Sequence, residues 1–234
     1  MTEARYVGTE LEIFAHATNW KSYVRCHVRP YLTGDVLEVG AGIGAATLGL
    51  NDGTPRRWVC LEPDRALAAR IARTVLLSLP NCEVLVGTLV ALEPQRLFDS
   101  VLYMDVLEHI ENDAGELARA AEHLRPGGHV VVVAPALPWL YSPFDAAIGH
   151  HRRYTKSSLR AIAPLDLQEE KCMYLDSMGL AASAGNRLLL RSSAPTVGQI
   201  RLWDRFLVPI SRLTDIVLAH SLGRSVLAVW RKAQ

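Results

Sequence analysis

Five consecutive residues, His150, His151, Arg152, Arg153 and Tyr154, concentrate groups that move protons and bind anions. Imidazole gains and loses a proton near neutral pH. Guanidinium forks suit a carboxylate or a phosphate. His150 and His151 are therefore candidate general bases, and Arg152, Arg153 and Tyr154 candidate substrate contacts. Neighbours on an extended loop tend to point apart. The two histidines should not both face one ligand, nor should the two arginines, and His150 and Arg153 are expected on one side. A second pair of titratable groups, Glu108 and His109, adjoins in the run D-V-L-E-H-I at 105–110. A third candidate is a turn rather than a side chain. Gly40, Gly42 and Gly44 follow the short apolar run V-L-E-V, and a helix-like segment begins at once. Glycine there permits positive φ and close approach of a ligand. The free N–H groups and dipole of a helix start favour an anionic group.

Elements that can hold these groups follow from hydropathy patterning. Strand one is expected at 36–39, with its helix at 45–50, and strand two at 57–61, ending on Glu62. A carboxylate there can accept from the vicinal hydroxyls of a ribose, while Asp64 reads as a cap for a helix over 65–79. Strand three is expected at 82–86, just before Thr88 and Leu89, and strand four at 101–104, just before Asp105 and Val106. Pro126, Gly127 and Gly128 should stop the next helix, and the unbroken apolar run 129–134 should be a strand buried on both faces. Strand six is expected at 167–175 and the last strand at 225–230, with a long helical connection over 176–224 and Pro209 as a kink. Residues 9–32 read as helical, with Asn19 as a candidate N-cap and with Trp20 and Tyr23 able to face a cofactor.

The glycines alone are ambiguous. Gly40, Gly42 and Ala45 also satisfy a loose dinucleotide fingerprint, with Glu62 at about 20 residues, which leaves an NAD-dependent oxidoreductase as an alternative. The context is more specific. E-V-G-A-G-I-G, with Glu38 two residues before Gly40, resembles motif I of class I S-adenosylmethionine (SAM)-dependent methyltransferases. The acidic end of strand two, D-V-L-E-H-I after strand four and L-R-P-G-G at 124–128 follow in that family's order, over roughly residues 20–175. The resemblance implies an α/β, Rossmann-like fold. It implies a seven-stranded, mostly parallel sheet in the order 3-2-1-4-5-7-6, with an antiparallel last strand and helices on both faces. It implies SAM as cofactor, contacted by Glu38, Gly40, Gly42, Gly44, Glu62, Thr88, Leu89, Asp105, Val106 and His109. Many relatives carry an acidic residue where Thr88 stands, so the adenine contact is the weakest part of that set. D-x-x-x-G-H-x-R-R-Y-T, at 145–155, is similar to a loop of bacterial methyltransferases, several of them encoded near glycolipid, polysaccharide or natural-product pathways. The implied function is methyl transfer to a small-molecule acceptor, with O-methylation favoured. A non-catalytic SAM-binding scaffold is the other alternative.

Composition sets the remaining bounds. The chain has 234 residues, half of them hydrophobic, and a formal net charge of +1. That suits one domain over 1–234, with 9–32 as an N-terminal helical cover and 176–224 as a helical lid or insertion. No global field favours nucleic acid. Cys26, Cys60, Cys82 and Cys172 are scattered, as reduced core thiols are. No cluster has metal-ligand spacing, so no metal is expected. The opening residues form no signal peptide and no apolar run would span a bilayer. The expectation is a cytoplasmic protein, with peripheral membrane contact or a homodimer left open.

Overall fold

The computed structural model describes residues 10–186 and 196–234. Residue 9 of the expected cover and residues 187–195 of the expected insertion lie outside the described residues. Seven strands form one sheet: β1 (Asp35–Val39), β2 (Arg57–Glu62), β3 (Cys82–Val86), β4 (Phe98–Met104), β5 (Leu124–Pro135), β6 (Leu167–Leu175) and β7 (Ser225–Lys232). Their order is β3-β2-β1-β4-β5-β7-β6. β1 pairs in parallel with β2 and β4, and β7 runs antiparallel to both β5 and β6. Ten α-helices accompany them among the described residues: α1 (Glu10–Ala15), α2 (Thr18–Val28), α3 (Ala45–Leu50), α4 (Arg65–Thr74), α5 (Asp113–Glu122), α6 (Pro143–Ala147), α7 (Lys156–Ile162), α8 (Ser177–Gly185), α9 (Val197–Leu202) and α10 (Val208–Val217).

Alternation along the strands feeds two cores. Val36, Trp58, Leu102 and Val131 pack on one face of the sheet, and Leu37, Val59, Val101 and Val130 on the other. All eight are fully buried, as period-two side chains in a covered parallel sheet must be.

Several boundaries differ from the sequence reading, each for a local reason. β5 begins at Leu124 rather than 129, because Phe98 pairs with Leu124 before the register shifts at Ser100↔His129. Pro126 and the two glycines therefore lie inside an irregular strand. The 9–32 helix is broken between α1 and α2. Lys21 Nζ caps the end of α1, donating to the carbonyls of Phe14 (2.8 Å), Ala15 (3.1 Å) and Ala17 (3.3 Å). Asn19 is not the N-cap of α2. The helix starts at Thr18 with no capping side chain of its own. Its first amides are met by Asp204, which accepts from Asn19 N (3.1 Å) and Trp20 N (2.8 Å). A remote carboxylate thus satisfies the orphan donors of a helix start. Pro209 sits near the start of α10, directly after a π-helical stretch at Trp203–Leu207, where its missing N–H costs least.

The insertion is fastened to the N-terminal cover by buried carboxylates. Asp215, fully buried on α10, accepts from Tyr23 Oη (2.8 Å), Asp176 N (2.7 Å) and Ser177 N (2.9 Å). Asp176 in turn accepts from Ser211 Oγ (2.8 Å) and Trp203 Nε1 (2.9 Å). These bonds hold the insertion on the crevice side of the sheet, where residues of α1, α2, α8 and α9 surround one opening.

Candidate active site

The glycine turn is built by the end of β1. Gly40, Gly42 and Gly44 have φ of +67°, +59° and +78°, a region that costs an L side chain about 1–2 kcal/mol. Gly40 N and Ala41 N donate to Leu61 O at 2.8 and 3.2 Å, which ties the turn to β2. Glu62 ties it again, accepting from Gly42 N (2.7 Å) and Asp64 N (2.9 Å). Asp64 caps α4 through Ala66 N and Leu67 N. Beneath the turn, Glu38 accepts from Thr47 Oγ1 (2.6 Å) and Trp58 Nε1 (2.7 Å). Burial pushes its carboxyl up to about 7 against those two donors.

A cavity of about 1210 Å³ runs from Gly40–Gly42 across the carboxyl ends of β4 and β5 to the loop after β5. Pockets of about 300–1,000 Å³ hold a drug-sized ligand, so this one has room for a cofactor and an acceptor together. Asp105 enters it from the end of β4 with φ of +54°, a strained backbone for a non-glycine residue. Surrounding protein pushes its carboxyl up to about 6. Glu108 lies deeper and is fully buried; desolvation, then the Asp105 charge, raises its carboxyl well above the usual range. His109 beside it is lowered to about 4, first by burial and then by His150.

The far wall is the 142–154 loop. Ser142 and Asp145 form a capping box that starts α6. Asp145 is buried and meets His150 Nδ1 at 3.1 Å, while the Arg153 guanidinium donates to both its oxygens at 2.8 and 3.1 Å. Burial opposes that charge, but His150 and Arg153 win and hold the carboxyl far below its usual range. Asp145 therefore orients both neighbours toward one space.

The structure brings together Gly40, Gly42, Asp105, His109, His150 and Arg153 around the cavity, with Trp20. The other expected site residues do not line it. Arg152 and Tyr154 turn the opposite way. Arg152 Nη1 and Tyr154 Oη both donate to Asp113 Oδ2, at 2.7 and 2.8 Å, so they brace the loop against α5. His151 is exposed, and its amide donates to Glu108 O at 2.8 Å. Tyr23 is spent on Asp215. Val106 packs under Gly40, where a Cβ would meet its Cγ1 at 2.7 Å. Gly44 lies beneath the turn against Val75 and Ile71, Leu89 is buried in the second core, and Thr88 precedes a short 3-10 turn at Leu89–Ala91. Glu38 and Glu62 support the turn from below and behind.

Sequence reasoning gave no role to Asp145, although D-x-x-x-x-H was in view. It also missed Asp176, Lys21 and Arg224, which face the cavity from distant segments. Arg224 lies over the rings of Trp203 (5.2 Å) and Phe14 (5.9 Å). No local pattern marks such residues.

A family described as "Methyltransferase domain" matches residues 24–182, more than half of the chain. The chain belongs to that family. Its sheet, with β7 antiparallel between β5 and β6, is the class I SAM-dependent methyltransferase fold. The dinucleotide oxidoreductase reading of the glycines is thereby set aside. A geranyl diphosphate methyltransferase solved with SAM superposes with a TM-score of 0.65 at 15% identity, over 97% of this chain and 91% of that one. The N-methyltransferase NodS from Bradyrhizobium japonicum WM9, solved with S-adenosylhomocysteine, gives 0.56 at 16% identity, over 91% of this chain and 84% of that one. No curated protein matches this methyltransferase in sequence.

The cavity's chemistry fits SAM. Gly42 opens its α-carbon toward the cavity, with only Leu11 at 3.4 Å or beyond, so a ligand can approach the backbone. The Asp105 carboxyl and the rings of Phe14 and Trp20 share that space, and these suit a cation. Among the described residues no helix is long and apolar enough to cross a membrane.

Proposed function

We propose that this methyltransferase transfers the methyl group of SAM to an oxygen of a small-molecule acceptor. The observation that carries the reading is that one cavity joins the Gly40–Gly42 turn to His150 and Arg153. When bound, SAM supplies an electrophilic methyl group on a sulfonium centre. The chain's own residues position and dry the reactants, which is proximity catalysis. Glycine backbone at 40–44, Asp105 and His109 hold the cofactor's amino-acid end. Glu62, which stands behind the turn and whose two backbone bonds leave lone pairs unused, is the ribose contact in this reading, while Thr88 and Leu89 lie off the cavity wall and are given no adenine contact.

His150 is placed to take the acceptor's proton. Asp145 accepts from Nδ1–H, which leaves the Nε2 lone pair unprotonated on the side of Glu108, 3.7 Å from Oε1. That arrangement serves an acceptor that must lose a proton as it is methylated, which is why oxygen is favoured. Arg153 anchors an anionic part of the acceptor, and α8–α10 act as the lid. Any dimer or peripheral membrane contact is assigned to the exposed stripe Leu202, Phe206, Ile210, Leu213 and Val217. The resemblance of the 145–155 loop supports a bacterial natural-product, glycolipid or polysaccharide pathway, and the scattered free thiols support a cytoplasmic enzyme.

The test is methyl-labelled SAM offered with hydroxyl-bearing metabolites. With the acceptor in hand, H150A should lose roughly 100-fold or more in turnover with SAM affinity unchanged. H151A should stay within a factor of two. Equal losses in both variants would remove His150 from the chemistry.

A further inference from the structure

We propose that Glu108, His109 and His150 form a binding site for a divalent first-row transition cation at the acceptor end of the cavity. Both carboxylate oxygens of Glu108 are buried without a hydrogen-bond partner, and the residue is fully inaccessible. A buried polar atom with no partner is rare enough to need a cause. His150 Nε2 stands 3.7 Å from Glu108 Oε1, too far for a hydrogen bond. It is close to the separation of about 3.4 Å that two ligands adopt on one tetrahedral ion with bonds near 2.1 Å. The His109 ring meets the His150 ring edge-on, with centroids 4.5 Å apart. One donor atom from each of the three residues lies within 4.8 Å of the others.

The surroundings support ligation. A metal-bound histidine usually gives its other ring N–H to a carboxylate or a backbone carbonyl, which fixes the tautomer. Asp145 does this for His150 at 3.1 Å, and the Gly149 backbone does it for His109. Two imidazoles and one carboxylate favour first-row transition ions over Ca²⁺ and Mg²⁺, the borderline Fe²⁺ and Zn²⁺ more strongly than the harder Mn²⁺. All three residues line the cavity, so coordination positions left open by the protein face the acceptor. The ligand class for those positions is a hydroxyl or a pair of adjacent oxygens. This rests on the cavity reading above, departs from the expectation of no metal, and changes two parts of that reading. With the ion present, His109 is a ligand rather than a cofactor contact, and His150 Nε2 is a ligand rather than the base, the ion drawing charge from the acceptor oxygen.

The experiment is calorimetric titration of the chelator-stripped full chain with MnCl2, ZnCl2 and MgCl2. Mn²⁺ or Zn²⁺ should bind one per chain and more tightly than Mg²⁺. E108Q and H150Q should each weaken that binding tenfold or more, with circular dichroism unchanged. A second measurement needs no variant: in wild type, substoichiometric Mn²⁺ should broaden the imidazole resonances of His109 and His150 before those of other histidines. Failure of wild type to bind Mn²⁺ or Zn²⁺, or broadening confined to other histidines, would overturn the site. SAM titrated into the stripped protein separates the two readings, since SAM binding without cation binding removes the ion and leaves the methyltransferase.

Discussion

At the scale of single residues, the glycine turn makes the sharpest distinctions. Gly40 and Gly42 share the left-handed region, yet their surroundings differ. A Cβ on Gly40 would collide with Val106 Cγ1 at 2.7 Å, whereas on Gly42 it would meet Leu11 at 3.4 Å. G42A should cost about 1 kcal/mol of stability, from φ alone, and G40A about 2–3 kcal/mol, from φ plus overpacking. Urea unfolding measures both, and equal losses would mean that Val106 gives way freely. Glu38 makes a pH-dependent claim. Its folded carboxyl titrates near 7 against an ordinary 4.5. The folded chain therefore holds a proton there that the unfolded chain has released. The stability from that proton is full below about pH 4.5 and lost above about pH 7, a swing on the order of 3 kcal/mol. Between pH 5 and 8, E38Q should lose about 2–3 kcal/mol less than wild type. Parallel urea midpoints for the two across that range would place the charge of Glu38 elsewhere in the balance.

Among the elements, the decisive contacts join α2 to α10 and to the start of α8. Asp215 accepts three buried hydrogen bonds, two of them from backbone amides. D215A strands those donors, and at about 1–3 kcal/mol for a stranded buried group the loss should be on the order of 3 kcal/mol by urea denaturation. A loss under about 0.5 kcal/mol would show that this fastening contributes little. None of this pairing was legible in the sequence, because Tyr23 and Asp215 are 192 positions apart. The strands were legible, since period-two and unbroken apolar runs are local signals. Asp64 as a cap was legible for the same reason. Asn19 was misread because the carboxylate that serves α2 comes from Asp204. In the 150s loop, the split of His150 and Arg153 from Arg152 and Tyr154 follows from their partners, Asp145 earlier in the same loop and Asp113 on α5. Residue type announced the cluster, but only the fold shows which members face the cavity.

Over the whole molecule, the sheet does one thing for function: it brings the ends of β1, β4 and β5 to a single cavity whose wall is completed by residues of α8 and α9. Motif order along the chain was enough to infer this architecture, because each motif ends a strand of a known sheet order. The acceptor was not, because its walls come from α1, α8, α9 and Arg224, segments without shared pattern. The central claim is that the cavity beside Gly40–Gly42 holds SAM. Calorimetric titration of SAM into the purified chain tests it most directly. The account predicts one SAM per chain, with binding weakened at least tenfold when Gly42 is replaced by valine in a folded variant. NAD in the same titration should give no saturable heat. Saturable NAD binding with none for SAM, or SAM binding unchanged by G42V, would contradict it.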